Sequence, residues 1–337
     1  MTSSERLYAR LKGMSVDKIP NMNIAMGLVA KAAGVSYREY VLDYRNLVEG
    51  NLICAERFGF DSVSVISDPM REASSFGAVL TFPEEGVPFS DPPLLADGYD
   101  LKRLRVISPL ESPRTLDRIK GVELLRQKVL SDYPVIGWVE GVLAETADLR
   151  GLNALMYDLA DLTEDDNQDM LELMDLIFKF QCNFALEQIK AGADIIGVGN
   201  AVASIIGPSL YEQYGLKYDK ALAKFIHDNG SKVKLHICGN ITPILPLLKQ
   251  AEPDILDIDW MVDFKKTVAE FADTGISICG NVDPVEVMLR GDATYVEKMV
   301  RECLSAETGN FLIAAGCEVP AATPEENLLL MDSLLYV

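Results

Sequence analysis

Short runs of apolar residues recur along the chain, and each ends in a polar residue or a glycine before a segment with helical periodicity. Eight such runs are rich in valine and isoleucine and almost continuously apolar, which is typical of strands buried on both faces. They span residues 19–24, 62–68, 135–141, 194–200, 232–240, 254–260, 276–281 and 311–317. The alternation of strand and helix predicts an α/β fold with a parallel sheet.

The segments between the later runs have the spacing of amphipathic helices, and several close on glycine, as helix C-termini often do. They lie at residues 114–130, 167–192, 208–230, 241–251, 263–275 and 283–307. Eight strand–helix alternations in 337 residues predict a (β/α)8 TIM barrel. An open doubly wound sheet is the alternative, but the glycine-rich phosphate loop that such a sheet carries after an early strand is absent from the sequence.

Insertions are concentrated in the first third of the chain. Residues 1–18 and 25–60 are predicted to form extra N-terminal helices, and residues 81–115 a long irregular excursion after the second strand. Excursions of that length at barrel strand ends often carry binding loops. We therefore expect a single domain over residues 1–337, with an N-terminal helical extension over 1–60 packed on the barrel.

Charge and cysteine content narrow the class of protein. The formal net charge is −20, and the sequence has no dense stripe of lysine and arginine, so nucleic acid is not an expected partner. Neither a signal-peptide core nor an apolar run of membrane-spanning length is present, which predicts a cytoplasmic protein that does not enter the membrane. The six cysteines are scattered, unlike a disulfide framework.

The predicted strands end in side chains that can bind ligands or metals. In a barrel of this kind the chemistry lies at the C-terminal ends of the strands. Loops are polar in general, which would explain the polar groups at these ends but not the cysteines among them. The residues at these ends are Asn21, Asn23, Asp68, Glu140, Asn200, His236, Cys238, Asp257, Asp259, Asn281, Asp283 and Cys317.

His236 and Cys238 form the most specific pair, because residues two apart in a strand point to the same side. Cys317 ends the eighth run and could reach the same ion across the barrel mouth. One nitrogen and two sulfurs favour zinc, and three protein ligands leave the open position of a catalytic site. The alternatives are a buried histidine beside two inert thiols, or Cys279 as third ligand, although Cys279 is expected to face the barrel wall.

Five segments resemble the uroporphyrinogen decarboxylase superfamily in the same order along the chain. They are SDPMREASSFGAVLTFPEEGVP (67–88), HICGN (236–240), DILDIDW (254–260), GNVDP (280–284) and GCEVPAATPEENLLLM (316–331). The resemblance implies a (β/α)8 barrel, in agreement with the eight runs.

The decarboxylases of this superfamily use no metal and grip a substrate with eight carboxylates through an arginine-rich N-terminal segment, W-x-M-R-Q-A-G-R-Y. The corresponding residues here, 20–40, have no arginine at the first strand end. Several cationic anchors are needed for such a substrate. Their absence argues against decarboxylation.

A second branch contains the methylcobamide:coenzyme M methyltransferases and related corrinoid-dependent enzymes, marked by H-x-C and a distant cysteine. The resemblance to this branch implies zinc on His236, Cys238 and Cys317, and Asp68 matches the decarboxylases' catalytic aspartate. Asp68, Glu140, Asp257 and Asp259 are each able to orient His236 or to serve as a labile fourth ligand. The candidate catalytic residues are Asp68 and Glu140, and the candidate substrate-binding residues are Asn23, Asn200, Asp259 and Asn281.

The implied reaction is attack of a zinc-held thiolate, such as that of coenzyme M, on methyl-cobalt(III), because coordination to zinc deprotonates a thiol. The corrinoid would be carried by a separate small protein that docks transiently, since the chain lacks the cobalt-binding D-x-H-x-x-G pattern. The reverse direction is the alternative, with a methoxylated aromatic, methylamine or methyl halide as donor. A third possibility is a non-catalytic barrel that binds a corrinoid or tetrapyrrole.

Overall fold

The computed structural model describes residues 1–161, 167–306 and 310–337, and within them one parallel sheet has seven strands that pair in chain order. Seven of the eight predicted runs are therefore strands, and β2, β3, β5, β6 and β7 are buried along their whole length, as their continuous apolarity predicts. The strands are β1 (Val63–Ser64), β2 (Val135–Glu140), β3 (Ile195–Gly199), β4 (Lys232–Ile237), β5 (Ile255–Ile258), β6 (Ser277–Val282) and β7 (Phe311–Ala315).

The first predicted strand, residues 19–24, is the exception. It makes one isolated parallel bridge, between Asn21 and Ile313 of β7, and the Asn21 carbonyl accepts from the Asp61 N–H just before β1. A regular strand does not form because Pro20 has no N–H to donate and the Ala315 N–H is accepted by the Asn23 side chain instead of the backbone. The segment thus lies between the last and first strands of a curled sheet, which is consistent with a TIM barrel.

Four helices occupy most of the first 60 residues, as predicted. Two of them, α1 and α3, begin with capping boxes in which Thr2 pairs with Glu5 and Ser36 with Glu39. These helices are α1 (Ser3–Leu11), α2 (Gly27–Ala33), α3 (Tyr37–Leu42) and α4 (Tyr44–Phe58).

Past β1 the chain enters α5 (Met70–Phe76) and then the predicted irregular excursion, which contains one 3-10 turn at Leu101–Arg103. The excursion ends slightly earlier than predicted, because α6 (Pro113–Val129) begins on a proline whose fixed φ suits the first helical position. The later helices are α7 (Val142–Arg150), α8 (Leu152–Asp161), α9 (Gln168–Lys190), α10 (Gly207–Leu210), α11 (Leu216–Asp228), α12 (Leu245–Ala251), α13 (Phe264–Glu270), α14 (Ala293–Leu304) and α15 (Glu325–Leu334).

The predicted helix over 208–230 forms without a gap over residues 207–228, but its geometry changes within that run. A π-helical turn, Tyr211–Gly215, separates α10 from α11, and a second π-helical segment, Pro284–Leu289, precedes α14. Within the described ranges, no helix is both long and apolar enough to cross a membrane. Because all strands of the sheet are parallel, their carboxyl ends and the loops after β4 and β7 lie at one edge, where the candidate site is found.

Candidate metal centre and its pocket

The three predicted metal ligands converge at the carboxyl edge of the sheet. His236 lies in β4, Cys238 follows β4 directly, and Cys317 lies two residues after β7. The His236 Nε2 is 3.0 Å from the Cys238 Sγ and 3.8 Å from the Cys317 Sγ, and the two sulfurs are 3.4 Å apart. In a tetrahedral zinc site with ordinary bond lengths, such donors lie about 3.5–3.8 Å apart. The triangle therefore fits a zinc ion with little adjustment.

Asp257 lies beside the imidazole of His236. It lies in β5 opposite His236 in the strand register, and its Oδ2 is 3.2 Å from the imidazole Nδ1. The Lys234 Nζ, from the same face of β4, is 2.8 Å from the same oxygen. A proton on Nδ1 facing Asp257 leaves the Nε2 lone pair directed at the two sulfurs, which is the tautomer that a metal ligand needs.

His236, Cys238 and Cys317 shift one another's pKa values. A hydrogen bond with Cys238 holds the pKa of the Cys317 thiol well below its usual value, and the same bond raises the pKa of Cys238. Burial alone would lower the pKa of His236, but Asp257 and Cys317 outweigh it and raise that pKa to about 10. A divalent cation at the centre would release protons from these side chains.

The three candidate ligands line a cavity of about 210 Å³ with an apolar wall that includes Ile24, Ile66 and Trp138. Two predicted catalytic residues, Asp68 and Glu140, also line this cavity. Its polar residues come from several strand ends and from the segments that follow them. They are Ser67, Asp68, Arg71, Glu140, Asn200, His236, Cys238, Cys317 and Glu318.

Asp68 and Glu140 are held by arginines. The Asp68 Oδ2 is 2.5 Å from the Arg114 Nη2 and accepts from the Ser67 hydroxyl at 2.8 Å. The Glu140 Oε1 accepts from the Arg71 Nη2 at 3.0 Å and from the Trp138 Nε1 at 3.3 Å. Asp257, and neither of these two carboxylates, is the one that faces His236.

Of the four predicted substrate-binding residues, only Asn200 lines the cavity. Its Nδ2 donates to Asp219 at 3.0 Å, and its Oδ1 has no hydrogen-bond partner in the described chain. The other three are engaged elsewhere: Asn23 accepts from the Ala315 N–H, Asp259 from the Gly239 N–H at 2.6 Å, and Asn281 donates to the Val262 carbonyl at 2.6 Å. Asp259 therefore fixes the loop that follows Cys238, whereas the substrate roles of all four residues stay predictions.

Several residues of the site were not identified from the sequence. Arg71 is fully buried, and its Nε lies 3.1 Å from the Glu72 Oε2. Glu318 accepts from the Gly27 N–H at 2.8 Å. Two of the residues that were not identified, Glu318 and Lys234, could have been found from their positions in the sequence. Glu318 directly follows Cys317, and Lys234 lies two residues before His236 on the same face of the strand.

Comparison with known proteins agrees with this architecture. The chain matches the uroporphyrinogen decarboxylase (URO-D) family model over residues 2–334. It is 28% identical over 337 residues to the methylcobamide:CoM methyltransferase MtbA of Methanosarcina mazei, covering 97% of this chain and 95% of that protein. It is also 26% identical over 290 residues to a uroporphyrinogen decarboxylase of Citrifermentans bemidjiense, covering 81% and 79%.

Two solved structures share the fold. A methyltransferase from Methanosarcina mazei superposes with a TM-score of 0.87 at 22% identity, covering 99% of this chain and 98% of that one. A B12-independent methionine synthase from Shewanella sp. superposes with a TM-score of 0.58 at 13% identity, covering 94% and 95%.

Proposed function

The chain belongs to the uroporphyrinogen decarboxylase family, and we propose that it is a methyltransferase of that family which moves a methyl group between a partner protein's corrinoid and a small thiol. In this proposal a zinc ion binds His236, Cys238 and Cys317. The similarity to a methylcobamide:CoM methyltransferase over almost the whole chain supports the reaction type.

The single observation that carries the proposal is the donor triangle, with edges of 3.0, 3.4 and 3.8 Å, at the end of a cavity. When bound there, zinc supplies a Lewis acid that keeps a thiol in its nucleophilic thiolate form. Two cysteine thiolates balance the charge of such an ion, and Asp257 holds the imidazole ring of His236 in the orientation that directs Nε2 at the ion. Trp138 and Ile66 form part of the apolar wall of the cavity that the three donors line.

The partner's methylated corrinoid is the second substrate. The thiolate sulfur forms a bond to the methyl carbon while the cobalt–carbon bond breaks, and the electron pair of that bond stays on cobalt. The reverse transfer, from a methylated donor held near zinc to cobalt(I), uses the same side chains and is the alternative direction.

Uroporphyrinogen decarboxylation is disfavoured by the arginines of the site. Arg71 is paired with Glu72 and Glu140, and Arg114 with Asp68. Neither guanidinium is available to anchor a polycarboxylate without first leaving a buried carboxylate unpaired.

We also propose that residues 1–337 form one domain, a closed (β/α)8 barrel. The supporting observation is that Asn21 bridges to β7 on one side and reaches Asp61, before β1, on the other. Residues 1–60 are then a helical extension, and residues 19–24 within it take the place of the eighth barrel strand.

The function is tested by incubating the protein, as purified, anaerobically with methylcobalamin and three thiols: 2-mercaptoethanol, 2-aminoethanethiol and 2-mercaptoethanesulfonate. We expect loss of the methyl-cobalt absorbance with at least one of them.

Replacing a residue that hydrogen-bonds to a metal ligand typically lowers activity by about 10–100-fold. Replacing a ligand itself should have a larger effect, so Cys317→Ala should lower the rate by more than about 100-fold. Cys182→Ala, a buried cysteine of α9, is the matched control and should keep the rate. The proposal would be overturned if no thiol accepted a methyl group from either free or protein-bound methylcobamide. It would also be overturned if the protein decarboxylated uroporphyrinogen.

A further inference from the structure

The polar atoms of the cavity point to the charge of the small substrate. Resting on the proposed function, we propose that this substrate carries an ammonium group which binds between Glu140 and Glu318, and not a sulfonate or carboxylate. The inference depends on which hydrogen-bonding groups of the cavity already have partners.

The cations of the site are already paired with carboxylates, although the Arg71 Nε and the Arg114 Nε have no hydrogen-bond partner in the described residues. The Arg71 Nη1 donates to the Asp68 carbonyl, its Nη2 to Glu140, and its Nε lies 3.1 Å from Glu72. Arg114 is engaged by both oxygens of Asp68, at 3.3 and 2.5 Å. Lys234 is buried and paired with Asp257, 2.8 Å away. An anionic substrate group would therefore find no uncommitted cation among these side chains.

The acceptors of the cavity, in contrast, have spare capacity. Glu140 uses Oε1 for Arg71 and Trp138, and no donor in the described residues reaches its Oε2. This oxygen lies over Gly199, where an added methyl group would come within 2.8 Å of it. Glycine at this position therefore leaves room for the carboxylate at the cavity wall.

Glu318, which lines the same cavity next to Cys317, repeats this arrangement. Its Oε1 accepts from the Met26 and Gly27 N–H groups at 3.2 and 2.8 Å, and its Oε2 receives no hydrogen bond from the described chain. The Asn200 Oδ1, in a residue only 1% exposed, is a third acceptor without a partner. A buried acceptor without a partner, as the Asn200 Oδ1 is, costs free energy unless a ligand donates to it.

Charge leads to the same conclusion. Of the cavity-lining side chains, Asp68, Glu140 and Glu318 are acidic and Arg71 is basic, while two cysteine thiolates neutralise a zinc ion. An ammonium would form charge-assisted hydrogen bonds with Glu140 and Glu318, and the Trp138 ring would add a favourable surface for a cation.

The test compares three thiols that share the HS–CH2–CH2 skeleton and differ in the terminal group: ammonium, hydroxyl or sulfonate. A hydrogen bond to a charged group is worth about 1.5–3 kcal/mol, so kcat/KM for 2-aminoethanethiol should exceed that for 2-mercaptoethanol by about 10-fold or more. The rates are corrected for each thiol's reaction with methylcobalamin alone. A kcat/KM for 2-mercaptoethanesulfonate equal to or above that of the aminothiol would overturn the inference while leaving the proposed function intact.

Binding without chemistry gives an independent readout. Calorimetric titration of the zinc-containing protein with the three S-methyl products should rank the ammonium compound first by a similar factor. If no thiol is methylated, the proposed function fails, and this titration still decides the charge preference of the cavity. Equal affinity for all three products would overturn that preference.

Two substitutions locate the ammonium site. Glu318→Gln keeps an oxygen for the Met26 and Gly27 N–H groups but removes the charge, so the ratio of kcat/KM for the ammonium thiol over the hydroxyl thiol should fall several-fold. Glu140→Gln should lower the same ratio. Glu325→Gln, at the exposed start of α15, is the matched control and should not change it. A ratio unaffected by both cavity substitutions, in proteins with unchanged zinc content, would contradict the assignment.

Discussion

His236 and Asp257 occupy paired positions on neighbouring strands, and the Asp257 carboxylate lies 3.2 Å from the imidazole nitrogen that faces away from the cysteines. Lys234 neutralises the same carboxylate from within β4. Strand register, and not a flexible loop, thus sets the direction of the Nε2 lone pair. Because the pairing of the two strands already sets the orientation of the imidazole, that side chain loses little conformational entropy when a metal binds.

We expect Asp257→Asn to lower zinc affinity by about 10–100-fold, because the asparagine no longer stabilises the required imidazole tautomer by charge. Competition with a chromophoric chelator measures the affinity. Asp254→Asn, at the start of the same strand and remote from the ligands, should leave the affinity unchanged.

The Asp257 substitution also leaves Lys234 buried without its counter-charge. A double variant, Lys234→Met with Asp257→Asn, restores the charge balance and separates a folding defect from lost positioning. Wild-type zinc affinity in both variants would contradict the positioning role of Asp257.

The identity of the ligands predicts metal content. Protein purified without added zinc should contain about one zinc per chain, as expected for a site with one histidine and two cysteine ligands. His236→Ala and Cys317→Ala should each abolish most of that content, measured by elemental analysis. Cys279→Ala is the informative control, because Cys279 is fully buried beside Asp257 and was the competing third ligand. Zinc that survives both ligand substitutions would exclude the proposed set.

The buried arginine at the cavity wall predicts a large effect on stability. Arg71 is fully buried between Glu72 and Glu140, so Arg71→Met leaves two buried carboxylates without their shared cation. Breaking a buried pair in this way costs about 3–5 kcal/mol. Urea denaturation followed by circular dichroism gives the free energy of unfolding.

The control for this prediction is an exposed arginine in a similar helical setting. Arg301 pairs with Glu297 on the surface of α14, at 61% and 47% side-chain exposure. Arg301→Met should change stability by less than about 0.5 kcal/mol. Equal effects of the two substitutions would show that the Arg71 cluster contributes little to folding.

Apolar continuity predicted most of the sheet, because parallel strands covered by helices are buried on both faces. It failed at residues 19–24, where Pro20 cannot donate and a side chain of Asn23 takes over a backbone hydrogen bond. That exchange depends on the neighbouring β7, which lies almost three hundred residues away in sequence. A local pattern does not contain this information.

The closeness of two of the proposed metal ligands, His236 and Cys238, was predictable because a strand places residues two apart on one side. The supporting carboxylate was not predictable. Asp68, Glu140, Asp257 and Asp259 all follow or end strands, and only the register between β4 and β5 selects Asp257. Asn23 and Asn281 illustrate the same limit, since both amides lie near strand ends but bind the backbone of neighbouring segments.

A carboxylate at the opposite, amino-terminal end of β5 gives a prediction about pH. The Asp254 Oδ1 is 2.6 Å from the Lys232 Nζ, and its Oδ2 faces His227 at 2.8 Å and accepts from the Val233 N–H at 2.9 Å. Burial works against the charged form, but these contacts outweigh it and lower the pKa of Asp254. The group therefore stabilises the fold above the unfolded-state pKa of about 3.9, and this contribution is lost as pH falls through the lower, folded-state value.

Asp254→Asn should accordingly lower the free energy of unfolding by about 1–3 kcal/mol at pH 7, the cost of losing hydrogen bonds to a charged group. The difference from the wild type should shrink as the pH is lowered below about 4, where the wild-type carboxylate begins to take up its proton. Urea denaturation at pH 7 and at pH 3 measures both values. Asp273→Asn, at an exposed position after α13, serves as the control and should have little effect at either pH. A gap between Asp254→Asn and the wild type that stays constant from pH 7 to pH 3 would mean that the side chain acts by shape and hydrogen bonding and not by its charge.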